Sequence, residues 1–273
     1  MEQPFPLPGI RAVLAVSSAK GGVGKSTTAV NLAVGIAKRG KRVAMLDADV
    51  YGPSLPRLLG IRGTPTLLDD KRLVPMQAYG IGCMSIGFLV EEATPMIWRG
   101  AMIMGAIENL IKDVAWGDLD VLVLDLPPGT GDAQLSITQR IPLTGAVIVS
   151  TPQDIALLDT RKGIAMFQKM NVPILGLVEN MSYFTCPNCD GRSEIFGHGG
   201  AHMAAKELGI DFLGEVPLDL AIRETADAGT PIIVTAPDSA IATTYFRIVD
   251  QLLEKIDATA CKPTHPAPKI VIE

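Results

Sequence analysis

The chain has 273 residues, 48% hydrophobic and 19% charged, a balance that buries a large core and excludes a disordered protein. Its 24 Lys+Arg against 29 Asp+Glu leave a net charge of −5, a poor basis for holding nucleic acid by phosphate neutralisation. Four cysteines, Cys83, Cys186, Cys189 and Cys261, are too few and too irregular for a disulfide scaffold and suit a reducing compartment.

In chain order, residues 1–9 form an N-terminal arm. Met1–Pro8 holds three prolines and no basic segment, so it reads neither as a signal peptide nor as a mitochondrial presequence. Beyond the arm, apolar runs alternate with helix-period segments. Strands are predicted at Ala12–Val16, Arg42–Leu46, Ile81–Ile86, Val121–Leu124, Ala146–Ser150, Ile174–Val178 and Phe212–Gly214. Helices are predicted at Ser26–Arg39, Gly100–Val114, Asp132–Arg140, Ile155–Met170, Gly200–Leu208 and Ala240–Ile256. Several strands are continuously apolar, as in a parallel sheet buried on both faces. The alternation predicts one doubly wound α/β domain over residues 10–257, its mostly parallel sheet flanked by helices. Right-handed crossovers would gather the loops at the strand C-termini on one edge, where ligands bind. The remaining residues, 258–273, include Pro263, Pro266 and Pro268 and read as a loose tail. No apolar run reaches the roughly 18 residues of a membrane span, so no integral membrane segment is expected.

The strongest motif is Ala19-Lys20-Gly21-Gly22-Val23-Gly24-Lys25-Ser26, between the first strand and the first helix. Glycines there let backbone N–H groups curl around phosphate oxygens, and the helix that follows points its positive end at the same charge. Lys25 would reach the β- and γ-phosphates, and the Ser26 hydroxyl, beside Thr27, would ligate Mg²⁺. The strand Val121–Leu124 ends in Asp125, an acid placed to hold Mg²⁺. Leu126-Pro-Pro-Gly-Thr-Gly-Asp132 follows, a hinged loop suited to sensing the γ-phosphate.

Cys186-Pro-Asn-Cys189 supplies two soft thiolates on one turn, and three readings compete. A redox pair would be expected near the first βα unit. A zinc finger would recruit His198 and His202, but the gap from Cys189 to His198 is eight residues, shorter than the usual 12–15 or so. In a two-fold dimer, two such pairs would meet and give four thiolates, enough for Zn²⁺ or a [4Fe–4S] cluster. Cys83 lies in an apolar strand and reads as a buried small hydrophobe.

The Ala19-Lys20 opening departs from the ordinary phosphate loop, which begins with Gly. It resembles the deviant Walker A loop of the MinD/ParA-like superfamily. Lys20–Ser26, Asp47–Ser54, Asp125–Asp132, Thr151–Asp154, Asn180–Ser182 and Cys186–Cys189 together resemble the Mrp/NBP35 family of iron–sulfur cluster carrier ATPases, over about residues 10–255. Gly80–Glu92 and Trp98-Arg99-Gly100 resemble the mitochondrial branch that assembles respiratory complex I.

The resemblance implies a homodimer that binds ATP and Mg²⁺ and carries a [4Fe–4S] cluster on Cys186 and Cys189 of both chains to recipient apoproteins, with slow hydrolysis. It implies that Lys20 reaches the partner's nucleotide and that Asp49 orients the attacking water. Asp47 would support Mg²⁺ or the loop, Asn180 would read adenine, and the Glu215–Asp219 run, with Pro217, would close the base pocket. Such a carrier would sit in the mitochondrial matrix if a presequence has been removed, and otherwise in a bacterial cytoplasm. The alternatives are a zinc-stapled targeting chaperone and a positioning ATPase. The first needs a Met-rich groove, for which Met96, Met102 and Met104 are the candidates. The second would end in a basic amphipathic helix, which Pro263–Glu273 does not offer.

Overall fold

The structure, a computed structural model, describes residues 5–90 and 100–260. Its first strand, β1 (Val13–Ser17), is buried along its whole length and leads through the glycine-rich segment into α1 (Lys25–Lys38). There follow β2 (Val43–Asp47), α2 (Leu55–Leu58), β3 (Met76–Ala78), β4 (Ile81–Ser85) and α3 (Gly100–Lys112). The chain continues through β5 (Val121–Asp125), α4 (Asp132–Arg140), β6 (Gly145–Ser150), α5 (Asp154–Lys169) and β7 (Ile174–Glu179). A two-stranded hairpin, β8 (Phe184–Thr185) with β9 (Arg192–Ser193), precedes α6 (Gly200–Leu208) and β10 (Phe212–Glu215). Three helices end the described chain: α7 (Leu220–Asp227), α8 (Ile232–Thr235) and α9 (Ala240–Ala260).

Eight strands form one sheet in the order β10-β7-β6-β1-β5-β2-β4-β3, parallel throughout except for β3, which runs antiparallel to β4 at the edge. β1 lies inside the sheet, between β5 and β6. Helices cover both faces, which is why the inner strands carry no polar alternation. The α1–α9 crossing is close: a Cβ on Gly35 would meet Val249 Cγ2 at 2.8 Å, so only glycine lets the two backbones approach so far. Leu14, Leu32, Ile36, Met45, Phe167 and Tyr245 are among the largest fully buried side chains. Removing the bulk of any one aliphatic member costs about 2–5 kcal/mol.

The register sets the functional edge. Asp47 pairs with Asp125 and with Ser85, and Ser150 pairs with Glu179, all at strand C-termini. These acids belong to the strands themselves, one residue beyond the predicted ends, because the buried row continues through a carboxylate that finds internal partners.

The doubly wound sheet and its helices are as expected, with α4 and α6 at the predicted limits. The last helix runs through Ala260, past the expected boundary at 257. β3, the β8–β9 hairpin, α2, α7 and α8 are too short to show a period. Within the arm, Phe5 is tied down: its N–H donates to the Arg140 carbonyl at 3.1 Å. Met104 is core filling, whereas Met102 is exposed. Met96, Glu91, Glu92, Trp98, Arg99, Cys261, His265 and the tail prolines lie outside the described residues.

Candidate functional site

The glycine-rich segment folds as a turn held from three sides. Gly22 and Gly24 have φ of 79° and 81°, left-handed conformations that a side chain would strain. Ser18 Oγ donates to the Lys20 carbonyl at 2.8 Å, and the Gly129 N–H donates to the Ser18 carbonyl at 2.9 Å. The phosphate loop and the Pro-Pro-Gly-Thr-Gly loop are thus bonded to each other. From the far side, Asn180 Nδ2 donates to the Val23 carbonyl at 2.8 Å. A Cβ added at Gly21 or Gly22 meets nothing within 4 Å, so the loop is open around these two glycines. An open backbone nest at the start of a 14-residue helix is a phosphate cradle.

Lys25 is buried and its ammonium pairs with the Asp125 carboxylate, itself 1% exposed. The same ammonium donates to Ser26 Oγ at 3.1 Å. A hydroxyl, a carboxylate and an ammonium therefore converge where a nucleotide's phosphates and their Mg²⁺ would lie. That donor set fits both groups, hard oxygens for the metal and a positive charge for the phosphates.

Asp47 is fully buried and accepts four hydrogen bonds. They come from the N–H groups of Asp49 (3.1 Å), Ser54 (3.0 Å) and Leu55 (3.1 Å) and from Ser85 Oγ (3.1 Å). Burial, reinforced by the nearby Asp125 charge, pushes its carboxyl up to about 7. The geometry makes Asp47 the clasp of the 48–55 loop. Asp49, half-buried, accepts from the Gly52 N–H at 3.2 Å, and burial raises its carboxyl above the usual range. Lys20 is exposed on the rim.

Beside the loop, the chain after β7 is knitted to the chain after β10. The Val216 N–H donates to the Glu179 carbonyl (2.8 Å), Ser182 N–H to the Val216 carbonyl (3.0 Å), and Leu218 N–H to the Tyr183 carbonyl (2.7 Å). Pro217 is buried within this seam, and Asp219 caps α7 by accepting from the Ala221 N–H at 2.7 Å. Asn180 and Pro217 are therefore neighbours in the fold, though 37 positions separate them in the chain.

The cysteines close the β8–β9 hairpin. Cys186 N–H donates to the Gly191 carbonyl (3.0 Å) and Asp190 N–H to the Cys186 carbonyl (2.9 Å). The Asn188 N–H, the Cys189 thiol and the Cys189 N–H are directed at the Cys186 sulfur and hold its pKa below the ordinary thiol value. Cys189 is exposed. His198 pairs instead with Glu194 at 3.1 Å, and the His202 ring packs edge-on against Phe212 with centroids 5.0 Å apart. Among the described residues no three His, Cys, Asp or Glu side chains converge as a metal site. Among the described residues the chain thus presents two thiols on this hairpin, and the single-chain finger with His198 and His202 has no geometry. Cys83 is enclosed, its thiol pushed up to about 12 by burial.

Two buried polar residues beside the site escaped sequence reasoning. Gln134, in the first turn of α4, is buried and donates through Nε2 to Ser17 Oγ at the end of β1. Glu179 is fully buried beside Asn180. A charged residue closing an otherwise apolar strand, as in Leu177-Val178-Glu179, was the available signal for the second.

Comparison with known proteins agrees with this geometry. Residues 9–253 match the family described as "ParA: NUBPL iron-transfer P-loop NTPase". The mouse iron–sulfur cluster transfer protein NUBPL is 54% identical over 256 residues, 93% of this chain and 80% of that protein. The Escherichia coli K12 iron–sulfur cluster carrier protein is 48% identical over 249 residues, 91% of this chain and 68% of its own. An Archaeoglobus fulgidus nucleotide-binding protein solved with ADP superposes with a TM-score of 0.73 at 44% identity, covering 82% of this chain and 88% of that one. The cell-division ATPase MinD of Pyrococcus furiosus superposes at 0.67 with 21% identity, over 89% and 98% of the two chains, and shares the fold.

Proposed function

The chain belongs to the NUBPL iron-transfer family of P-loop NTPases, and from that membership we propose that it is an ATP-dependent carrier of [4Fe–4S] clusters acting as a homodimer. The observation that carries the proposal is the pair of thiols on an exposed hairpin: two ligands per chain, made four by a two-fold axis. The cluster is cargo, and an exposed site with one ligand pair from each subunit is one that can let it go.

In this reading, Lys25 leaves Asp125 for the β- and γ-phosphates when ATP enters the cradle. Ser26 and Asp125 would then hold Mg²⁺, which would neutralise charge on the phosphates. Thr27 supports the same turn. Gly21, Gly22, Val23 and Gly24 supply the N–H groups. Asn180 and Pro217 border the base. Asp49 orients the attacking water, and Asp47 keeps the loop carrying Asp49 in place through its four donors. Lys20, exposed on the rim, reaches the nucleotide of the second subunit. Such a site serves switching more than turnover, so hydrolysis is slow.

The recipients are iron–sulfur apoproteins. A relative from Arabidopsis thaliana, 53% identical over 249 residues, is described as an iron–sulfur protein required for NADH dehydrogenase, mitochondrial. By that likeness the recipients include subunits of respiratory complex I, in the mitochondrial matrix, while a bacterial carrier from Pseudomonas fragi, 51% identical over 241 residues, supports the same role in a bacterial cytoplasm. Among the described residues no helix is long and apolar enough to cross a membrane. The division of labour is tested with Lys25→Ala. It is expected to weaken ATP binding at least tenfold while a reconstituted cluster still forms on the cysteines. Loss of the cluster in this variant, with the protein still folded, would contradict the proposal.

A further inference from the structure

Glu179 has no part in the chemistry described so far, yet it is a fully buried carboxylate. A buried charge is costly unless it is completely bonded. Its partners are specific. Oε1 accepts from Ser182 Oγ at 2.6 Å, and Oε2 accepts from the Ala201 N–H at 2.7 Å, at the N-terminus of α6. Ser182 and Ala201 are the two ends of the segment that carries Cys186 and Cys189. One side chain therefore fastens both ends of the cysteine loop to the last residue of β7. The helix N-terminus adds favourable field to the same carboxylate.

The next residue is Asn180, whose amide bonds the Val23 carbonyl inside the phosphate loop. The Glu179 backbone carbonyl accepts from Val216 N–H in the seam that holds Pro217. Consecutive residues at one strand end thus touch the phosphate loop, the base-side seam and both ends of the cysteine loop. Gly200 makes the junction tight: a Cβ there would meet Leu157 Cδ1 at 2.5 Å and the Pro152 carbonyl at 2.8 Å. Such a junction passes displacement on instead of absorbing it.

We propose that Glu179 is a positioning residue that couples the nucleotide site to the cysteine loop, by holding Ser182 and Ala201 rigidly to the strand end that bears Asn180. This rests on the carrier reading above. When nucleotide displaces Asn180 from Val23, the strand end shifts and carries both ends of the cysteine loop with it, changing how the loop presents its thiols.

The test follows hydrogen exchange of residues 181–201 in cluster-free protein, with and without a non-hydrolysable ATP analogue and Mg²⁺, alongside a direct measurement of analogue affinity. Three variants are used. Glu179→Ala removes both tethers, Ser182→Ala removes one, and Glu179→Gln keeps a donor–acceptor pair to both partners. In wild type the analogue is expected to change exchange in 181–201 by about fivefold or more, the lower end of ordinary allosteric coupling. Glu179→Ala should bring that ratio within about twofold of one while analogue affinity stays within threefold. Glu179→Gln should keep most of the response, a rescue that a loss of packing alone would not give. If Glu179→Ala does not fold, Ser182→Ala carries the test and should reduce the response by half or more. An undiminished response in a folded Glu179→Ala or Ser182→Ala protein overturns the proposal, as does a wild type that binds the analogue without any response in 181–201. A wild type that fails to bind the analogue refutes the carrier reading instead.

Discussion

The buried pair of Lys25 and Asp125 gives the sharpest energetic prediction. Lys25 is 6% exposed and Asp125 1%, and Asp125 lies in register with Asp47, which is fully buried. Lys25→Met keeps most of the apolar stem, so packing changes little and the charge alone is lost. Two carboxylates then face one another without a cation. Stranding a buried charge in this way costs about 3–5 kcal/mol. The penalty has a ceiling, because a stranded carboxylate escapes by taking up a proton. The Asp47 carboxyl is already raised to about 7, so its proton uptake relieves part of the penalty, and more of it as the pH falls. The sign follows: a carboxyl whose folded pKa is raised destabilises more as pH rises, so the variant recovers on acidification. Urea unfolding of nucleotide-free protein should show Lys25→Met less stable than wild type by about 3 kcal/mol at pH 7, the low end of a stranded buried charge, with an unchanged m-value, and by less at pH 5.5. Against a typical total of about 5–15 kcal/mol this is a large share. Adding Asp125→Asn removes the stranded charge and should restore most of the loss. If Lys25→Met stays within about 1 kcal/mol of wild type at pH 7, or the double variant is no more stable than the single one, the pair is not bonded as described.

Other expectations concern the loop, the thiols and hydrolysis. Gly24→Ala places a Cβ 2.2 Å from Asn180 Nδ2 at φ +81°, so it should cost about 1–2 kcal/mol in strain and lower nucleotide affinity at least tenfold. Gly21→Ala, with open space around the new methyl, should leave stability within about 0.5 kcal/mol, and thermal unfolding with nucleotide titration separates the two. Alkylation of native apo-protein should modify Cys186 faster than an ordinary thiol below pH 8, because its pKa is lowered, and should leave Cys83 unmodified, because burial raises it to about 12. Mass spectrometry of the peptides reads both, and rapid labelling of Cys83 in folded protein would contradict its enclosure. Asp49→Ala should cut ATP hydrolysis at least tenfold and leave ATP binding within threefold, a split that phosphate-release and binding assays resolve.

Much of this architecture was legible because it rests on patterns with a period or a fixed spacing. The continuous apolar runs of β1, β2, β5, β6 and β7 suit inner parallel strands buried on both faces. The glycine spacing before Lys25 described a backbone nest before any coordinate did. What stayed hidden depends on contacts distant in sequence. Asp47 could be read as a metal ligand or a loop support, and only the convergence of Ser54, Leu55 and Ser85 shows the clasp. Glu179 was invisible as a junction because Ala201 lies 22 positions away and offers only a backbone N–H. The β8–β9 hairpin has two-residue strands, too short for alternation to register. His198 and His202 were ligand candidates by composition alone. Glu194 and Phe212 occupy them instead.

Anaerobic iron and sulfide analysis with an absorption spectrum shows whether the thiols of two chains hold a cluster between them. Wild type and a Cys186→Ala/Cys189→Ala variant are each reconstituted and sized. About four iron and four sulfide are expected per wild-type dimer, absent from the variant, which still binds ATP. About one zinc per dimer with no iron after reconstitution, or a full cluster on the variant, would contradict that arrangement.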